Sequence, residues 1–146
     1  MRPLRKLFSL STSERRLLFE AVFLILTIRL GLQLLSLRTL GRALARLERL
    51  QMVCFHVDAS SPEDIARAVA RASARVPRAT CLIRALAIHA LLERRGHPSR
   101  LRLGFVRDRN GGLRGHAWVE SGGGVVVGGG EVLRYNVLPL EQDDAR

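Results

Sequence analysis

The sequence predicts an α+β fold, because helix signals fill its first two thirds and strand signals the rest. Capping sequences open helices at "STSE", "SSPED" and "ATC". From residue 99 the pattern becomes that of strands, with alternating apolar and polar residues, in "SRLRLGFV", "LRGHAWVE" and "VVVGG". The turn sequences "RDRNGG" and "SGGG" separate these segments. The tail "YNVLPL" has the composition of a short edge strand. Helices followed by an antiparallel meander define the α+β class.

The first predicted helix covers residues 11 to 50. Ser11 is its expected N-cap, and Glu14 reaches back from the third helical position to complete a capping box. We expect Gly31 and Gly41 to bend or divide it. Residues 1–58 are assigned to this helical arm and a connector, which holds a possible short strand at "MVCFHV", and residues 59–146 to the core domain.

The first helix is apolar enough to raise the question of a membrane. Glu20 and Arg29 divide its apolar stretch into the runs 21–28 and 30–37. Each run is shorter than the roughly 20 residues that span a bilayer. We therefore predict an arm that packs on the domain, on a partner protein or on a membrane surface without spanning. The start of the chain lacks the features of a signal peptide, so we expect a cytoplasmic protein.

Two further helices precede the strands. Ser61 caps the first of them, with Pro62 and Asp64 at favoured positions, and that helix ends before Pro77. The other runs through "TCLIRALAIHALLERRG" from a cap at Thr80. The glycine that closes this segment is typical of a helix C-terminus.

Composition limits the partners. The 146 residues carry a formal charge of +11, and their 24 basic residues are almost all arginines scattered through apolar segments. A nucleic-acid protein more often shows a basic stripe with interleaved aromatics or a reading motif, so we expect no nucleic acid. An acidic peptide, an acidic protein or a membrane surface remains compatible with the charge. Two cysteines without metal-ligand spacing argue against zinc, and no cofactor is expected.

Cys81 is the first candidate for chemistry. If Thr80 caps the helix, the thiol lies at the first helical position, beside unpaired backbone N–H groups that stabilise negative charge. The N–H of Cys81 is then free to bind a developing oxyanion. Pro77 and Arg78 just upstream make the approach rigid and positive, and Arg78 is a candidate for binding substrate. The alternative is a small buried cysteine, which is common.

His116 is the candidate base. On a strand, His116, Trp118 and Glu120 point to one face. If the Cys81 helix packs across that face, its N-terminus can meet His116, with Trp118 as a wall of the site. The alternative is an ordinary polar strand residue. The remaining histidines, at positions 56, 89 and 97, are placed less well relative to Cys81.

The block "TCLIRAL", "LLERRGHP", "HAWVE" and "VVVGGGEVLRYNVL" resembles the transglutaminase-like leader peptidases of lasso-peptide biosynthesis, over residues 76–140. The capped apolar helix resembles the usual start of the stand-alone form. The resemblance implies a papain-like or transglutaminase-like core with Cys81 as nucleophile and His116 as base. It also implies three partners: the precursor peptide, a small leader-recognition protein and an ATP-dependent macrolactam synthetase, the lasso cyclase.

The third member of the family's triad is missing from its expected place. A count back from the pair Glu120 and Val125 puts Gly129 opposite His116, where the resemblance implies an aspartate. Glu131 is the nearest acid that could orient the imidazole, and Asn136 is a second candidate. Glu131 could equally be a solvated loop residue, and a dyad oriented by water or a carbonyl would also work.

Two other functions fit the same residues. A binding module with a degenerate site would hold the leader without needing Cys81 and His116 within hydrogen-bond reach. A transglutaminase-type acyltransferase would form the same thioester and pass it to an amine. The sequence does not distinguish hydrolysis from aminolysis, since both use the same nucleophile.

Overall fold

The computed structural model describes residues 11–34, 36, 39, 42, 60–127 and 135–138. Within these residues, the helices with defined bounds come first: α1 (Thr12–Leu34), α2 (Pro62–Ser73) and α3 (Cys81–Arg94). Four strands follow: β1 (Ser99–Arg107), β2 (Leu113–Ser121), β3 (Gly124–Val127) and β4 (Asn136–Leu138). The predicted α+β class is confirmed.

The strands form one antiparallel sheet in the order β3-β2-β1-β4. The tail strand pairs with β1, so the two central strands are the two longest. Gly122 and Gly123 alone make the turn between β2 and β3, with φ of 59° and 82°. Two successive left-handed residues are the signature of the two-residue turn that matches strand twist. The loop therefore has two residues where the sequence predicted four, although Glu120 does pair with Val125.

All three helix caps are formed as predicted. Glu14 N donates to Ser11 Oγ at 3.2 Å, and Ser11 N donates to the Glu14 carboxylate at 2.9 Å. Ser61 and Asp64 make the same reciprocal box at α2. Thr80 has extended backbone angles and accepts from Ile83 N at 3.4 Å.

α1 continues through Gly31 and ends three residues later, at Leu34, so the helix is not divided at Gly31 itself, and the bend expected there stays a prediction. Packing explains the continuity: one face of α1 is buried against α2 and α3, which outweighs the roughly 1 kcal/mol that a glycine costs inside a helix. Gly41 and the boundary at residue 58 lie outside the described residues. The buried α1 residues belong to the same core cluster as those of α2 and α3, namely Leu17, Leu18, Ala21, Leu24, Ile25 and Ile28.

The core lies between the helices and one face of the sheet. Ala117 and Val119 of β2 are almost fully buried and belong to the helical cluster, and Leu101 and Leu103 of β1 pack against it. These four residues are paired across the ladder, Leu101 with Val119 and Leu103 with Ala117. The α3 helix contacts both strands. The other face of β2 therefore carries His116, Trp118 and Glu120 away from the helical layer.

Candidate active site

Cys81 is the first residue of α3, as the sequence predicts. Its thiol is free and half-buried. The first main-chain bond of the helix runs from Arg84 N to Thr80 O, at 3.1 Å, so the N–H groups of residues 81–83 have no acceptor in the helical ladder. Thr80 takes that of Ile83, and the N–H of Cys81 stays beside its own sulfur. The arrangement suits a thiol nucleophile with a nearby oxyanion donor.

The loop before Cys81 is held from α1. Arg29 Nη1 donates to the carbonyl oxygen of Pro77 at 2.7 Å. Arg78 follows with φ of 60°, the one described non-glycine residue with positive φ. Such a conformation costs on the order of 1 kcal/mol and persists where its surroundings fix it. Arg78 is exposed, so its guanidinium is accessible to a ligand.

His116 lies against two aromatic rings. Its ring centroid is 6.2 Å from that of Trp118, in a stacked orientation, and 5.1 Å from that of Tyr135, which is tilted by 30°. Tyr135 was not predicted as a site residue. The signal that could have found it is its place directly before β4, the strand that pairs with β1 beside Gly104.

A hydrogen-bonded network holds Trp118, one of the two aromatic residues beside His116. Trp118 Nε1 donates to one carboxylate oxygen of Glu120 at 3.1 Å, and Arg102 Nε donates to the other at 3.2 Å. Trp118 is only 1% exposed, so it backs the imidazole and presents almost no surface to a substrate. The carboxylate of Glu120 thus bonds to Trp118 and Arg102.

The face on which α3 packs differs from the expectation. The site predicted from the sequence is conditional on α3 packing across the face of His116, Trp118 and Glu120. The buried residues of α3 instead share a cluster with Ala117 and Val119 on the opposite face. The physical reason is that the indole N–H and the carboxylate need polar partners, which Arg102 and Glu120 supply away from the helices. Small and β-branched residues fill the helix side instead.

The candidates for orienting His116 are only partly described. Gly129 and Glu131 lie outside the described residues, and the role of Glu131 stays a prediction. A bulge between Val119 and Glu120 pairs Val119 with Val127, so the regular count that led to Gly129 does not hold past Glu120. Asn136 pairs with Phe105, one position from the Gly104–His116 pair, and strand alternation therefore puts it on the other face of the sheet.

The other histidines are bonded elsewhere. His89 Nδ1 is 2.7 Å from Ser99 Oγ, and His97 Nε2 is 3.0 Å from the carbonyl oxygen of Ser60. Burial lowers the pKa of His89, against a smaller opposing effect of Glu93. Cys54 and His56 fall outside the described part of the chain. Within the described part, no group of three or more His, Cys, Asp or Glu side chains could hold a metal ion.

Comparison with known proteins identifies the family. The profile described as "Transglutaminase-like superfamily" (Transglut_core3) matches residues 22–139, which is most of the chain and includes Cys81, His116 and Tyr135. The match begins within α1, so it takes in part of the predicted arm. No curated protein and no solved structure gives a significant match. The chain belongs to the transglutaminase-like superfamily, whose members include cysteine peptidases and acyltransferases.

Proposed function

We propose that this protein is a cysteine peptidase that removes the leader from a lasso-peptide precursor. The observation that carries the proposal is the placement of Cys81 at the capped start of α3, a helix that packs on β2, the strand of His116. Because alternation puts His116 on the face of β2 turned away from α3, the proposal requires the Cys81 thiol and the imidazole to come within hydrogen-bond reach from opposite sides of that strand. Membership of a superfamily with cysteine peptidases supports thiol chemistry. The resemblance of the "TCLIRAL" and "HAWVE" blocks to lasso leader peptidases supports the choice of substrate.

In the proposed reaction, His116 takes the thiol proton of Cys81, and the sulfur attacks the carbonyl carbon at the end of the leader. The oxyanion that forms is stabilised by the N–H at the start of α3. Collapse breaks the peptide C–N bond, and His116 gives its proton to the leaving amine. Water, deprotonated by His116, then hydrolyses the thioester. The products are a leader with a free carboxylate and a core peptide with a free amino terminus.

The surroundings suggest roles for three more residues. The rings of Trp118 and Tyr135 lie beside the imidazole, and we expect them to limit its rotation. Arg78 presents an exposed cation on the loop before Cys81, where it could bind an acidic group of the leader. The partners in this proposal are the precursor peptide, a small leader-recognition protein and the ATP-dependent lasso cyclase, all in the cytoplasm.

The test is mass spectrometry of a precursor peptide incubated with the protein and its recognition partner. The wild type should release leader and core. Cys81→Ala and His116→Ala should abolish cleavage while leader binding persists, and Glu131→Gln should cost less. Cys54→Ala is the matched control and should cleave normally. Cleavage by Cys81→Ala at the wild-type rate would refute the mechanism.

The same experiment distinguishes the two other functions. A hydrolase gives a leader with a free carboxylate, whereas an acyltransferase supplied with a primary amine gives a leader that carries the amine. A binding module gives neither product, and its affinity for the leader is unchanged in the His116→Ala variant.

A further inference from the structure

The α1 helix has a second apolar face, opposite the one that joins the core. We call it the outer stripe; its members follow at intervals of three or four residues and are all exposed, at 74%, 69%, 45%, 58% and 80%: Phe19, Phe23, Leu26, Leu30 and Leu34. That spacing keeps them in one line along the helix. A contiguous exposed row of large apolar side chains on this scale marks an interaction surface.

The charged residues of this part of α1 are turned toward the protein. Glu20 accepts a hydrogen bond from Arg95 Nη2 at 2.8 Å in a partly buried ion pair. Arg29 donates to the Pro77 carbonyl. Both residues therefore have partners within the domain, and the outer stripe is left without a charge along its length.

Basic residues stand at one end of the outer stripe. Arg15 and Arg16 are exposed one helical turn before Phe19. The sequence before the helix adds Arg2, Arg5 and Lys6 within its first six residues. Phe and Leu on one face with arginines at its margin is the composition of helices that lie in the headgroup region of anionic bilayers.

We propose that the outer stripe is an interfacial anchor that binds the surface of an anionic lipid bilayer, with α1 lying parallel to the membrane plane. By length and composition α1 is the one described helix able to cross a membrane, but a third of its most apolar stretch is buried inside the protein. Spanning would strip its core face from α2 and α3 and break the Glu20–Arg95 pair. A surface orientation keeps both contacts.

The charge favours a lipid surface over a second copy of the chain. Two molecules with a formal charge of +11 repel each other, and pairing of two outer stripes would bring in four exposed arginines, Arg15 and Arg16 from each copy. An anionic bilayer attracts the same residues. The proposal does not depend on the proposed peptidase activity.

The test is co-sedimentation of the full chain with vesicles made of equal parts of phosphatidylglycerol and phosphatidylcholine. The wild type should bind these vesicles and bind pure phosphatidylcholine vesicles more weakly. The double variant Phe19→Ser/Phe23→Ser should lose about ten-fold or more in partitioning. Neutralising Arg2, Arg5 and Lys6 should lower binding to anionic vesicles by about five-fold per charge and leave binding to neutral vesicles unchanged.

Leu113→Ser is the matched control, because Leu113 is an equally exposed apolar residue on β2, at 67% exposure. It should bind vesicles as the wild type does, and all variants should keep the wild-type circular dichroism spectrum. Three results would overturn the proposal: unchanged vesicle binding by the Phe19/Phe23 variant, a dimer in solution that the same substitutions dissociate without any vesicle binding, or resistance of bound protein to alkaline carbonate, which indicates a spanning helix.

Discussion

Gly104 lies directly opposite His116 in the β1–β2 ladder, and the absence of a side chain at Gly104 leaves the space that two aromatic residues occupy. A Cβ at this position would be 2.9 Å from Tyr135 Cβ, 3.0 Å from Trp118 Cζ3 and 3.1 Å from the carbonyl oxygen of Asn136. Backbone and ring atoms cannot all move away at once, so the glycine is required by the rings that contact His116.

The first prediction is that Gly104→Ala destabilises the protein by about 1–3 kcal/mol, the usual cost of overpacking. It should also lower any activity that depends on His116, because the two rings must shift. Gly115→Ala is the control, since a Cβ there has only the Gly104 carbonyl oxygen within 4.0 Å. Urea unfolding of both variants measures the effect. Equal stability of the two variants would contradict the close approach.

The second prediction concerns the cap beside the nucleophile. Thr80→Ala removes the acceptor for Ile83 N and should cost about 1 kcal/mol in unfolding free energy. It should also slow alkylation of Cys81 by iodoacetamide, by up to about five-fold, because the start of α3 frays. The reaction is followed by mass spectrometry in a Cys54→Ala background, so that one thiol reports.

Ser61→Ala is the matched control for that experiment, because Ser61 caps α2 by the same kind of bond. It should lower the unfolding free energy by a similar amount and leave alkylation of Cys81 at the wild-type rate. If both variants slowed alkylation equally, the effect would be global loosening and not the local cap.

The elements that the sequence predicts well are those with local signals. The caps at Ser11, Ser61 and Thr80 depend on residues three apart, and the strands depend on alternation. The features that the sequence misses depend on distant contacts. Which face of β2 the helices cover could not be read from alternation, because that face holds Ala117 and Val119 while the other holds Trp118, and both are apolar.

Contacts between distant segments were equally hidden. Tyr135 reaches His116 only because β4 pairs with β1, and Arg29 holds the Pro77 loop across 48 residues of sequence. In the sequence Arg29 signals only an interruption of an apolar run. Its bond shows that α1 contributes to the shape of the loop that carries Arg78.

The third prediction concerns the acceptor that Glu120 provides. Glu120→Ala leaves the buried indole N–H of Trp118 without its partner and should cost about 1–3 kcal/mol. Glu120→Gln keeps an acceptor oxygen and should recover most of the loss. Because Trp118 is the only tryptophan in the chain, its fluorescence reports the change directly. The Ala variant should have a shifted emission maximum in the folded state, because the carboxylate at the indole N–H is gone, and an unshifted spectrum would show that the bond is unimportant.

The last prediction is a pH dependence of stability that originates at His89. Ser99 Oγ donates to Glu93 at 2.9 Å, so it accepts from His89 Nδ1–H at 2.7 Å. In the neutral ring, Nε2 is therefore the nitrogen without a proton. Burial holds the pKa of His89 below its ordinary value of about 6.5 in the folded protein. The unfolded chain therefore takes up a proton first as the pH falls.

From this sign, the contribution of neutral His89 to stability is complete above a pH of about 6.5 and is lost as the pH falls through the lower folded pKa. The urea midpoint of the wild type should decrease between pH about 7.5 and about 5.5. His89→Gln keeps a donor for Ser99 and should flatten this slope. Glu14 and Asp64 do not titrate in this pH range. Hydrogen bonds from Ser11 hold the pKa of the Glu14 carboxyl below its ordinary value, and a hydrogen bond from Arg67 does the same for Asp64. Identical slopes for both proteins would exclude His89 as the source.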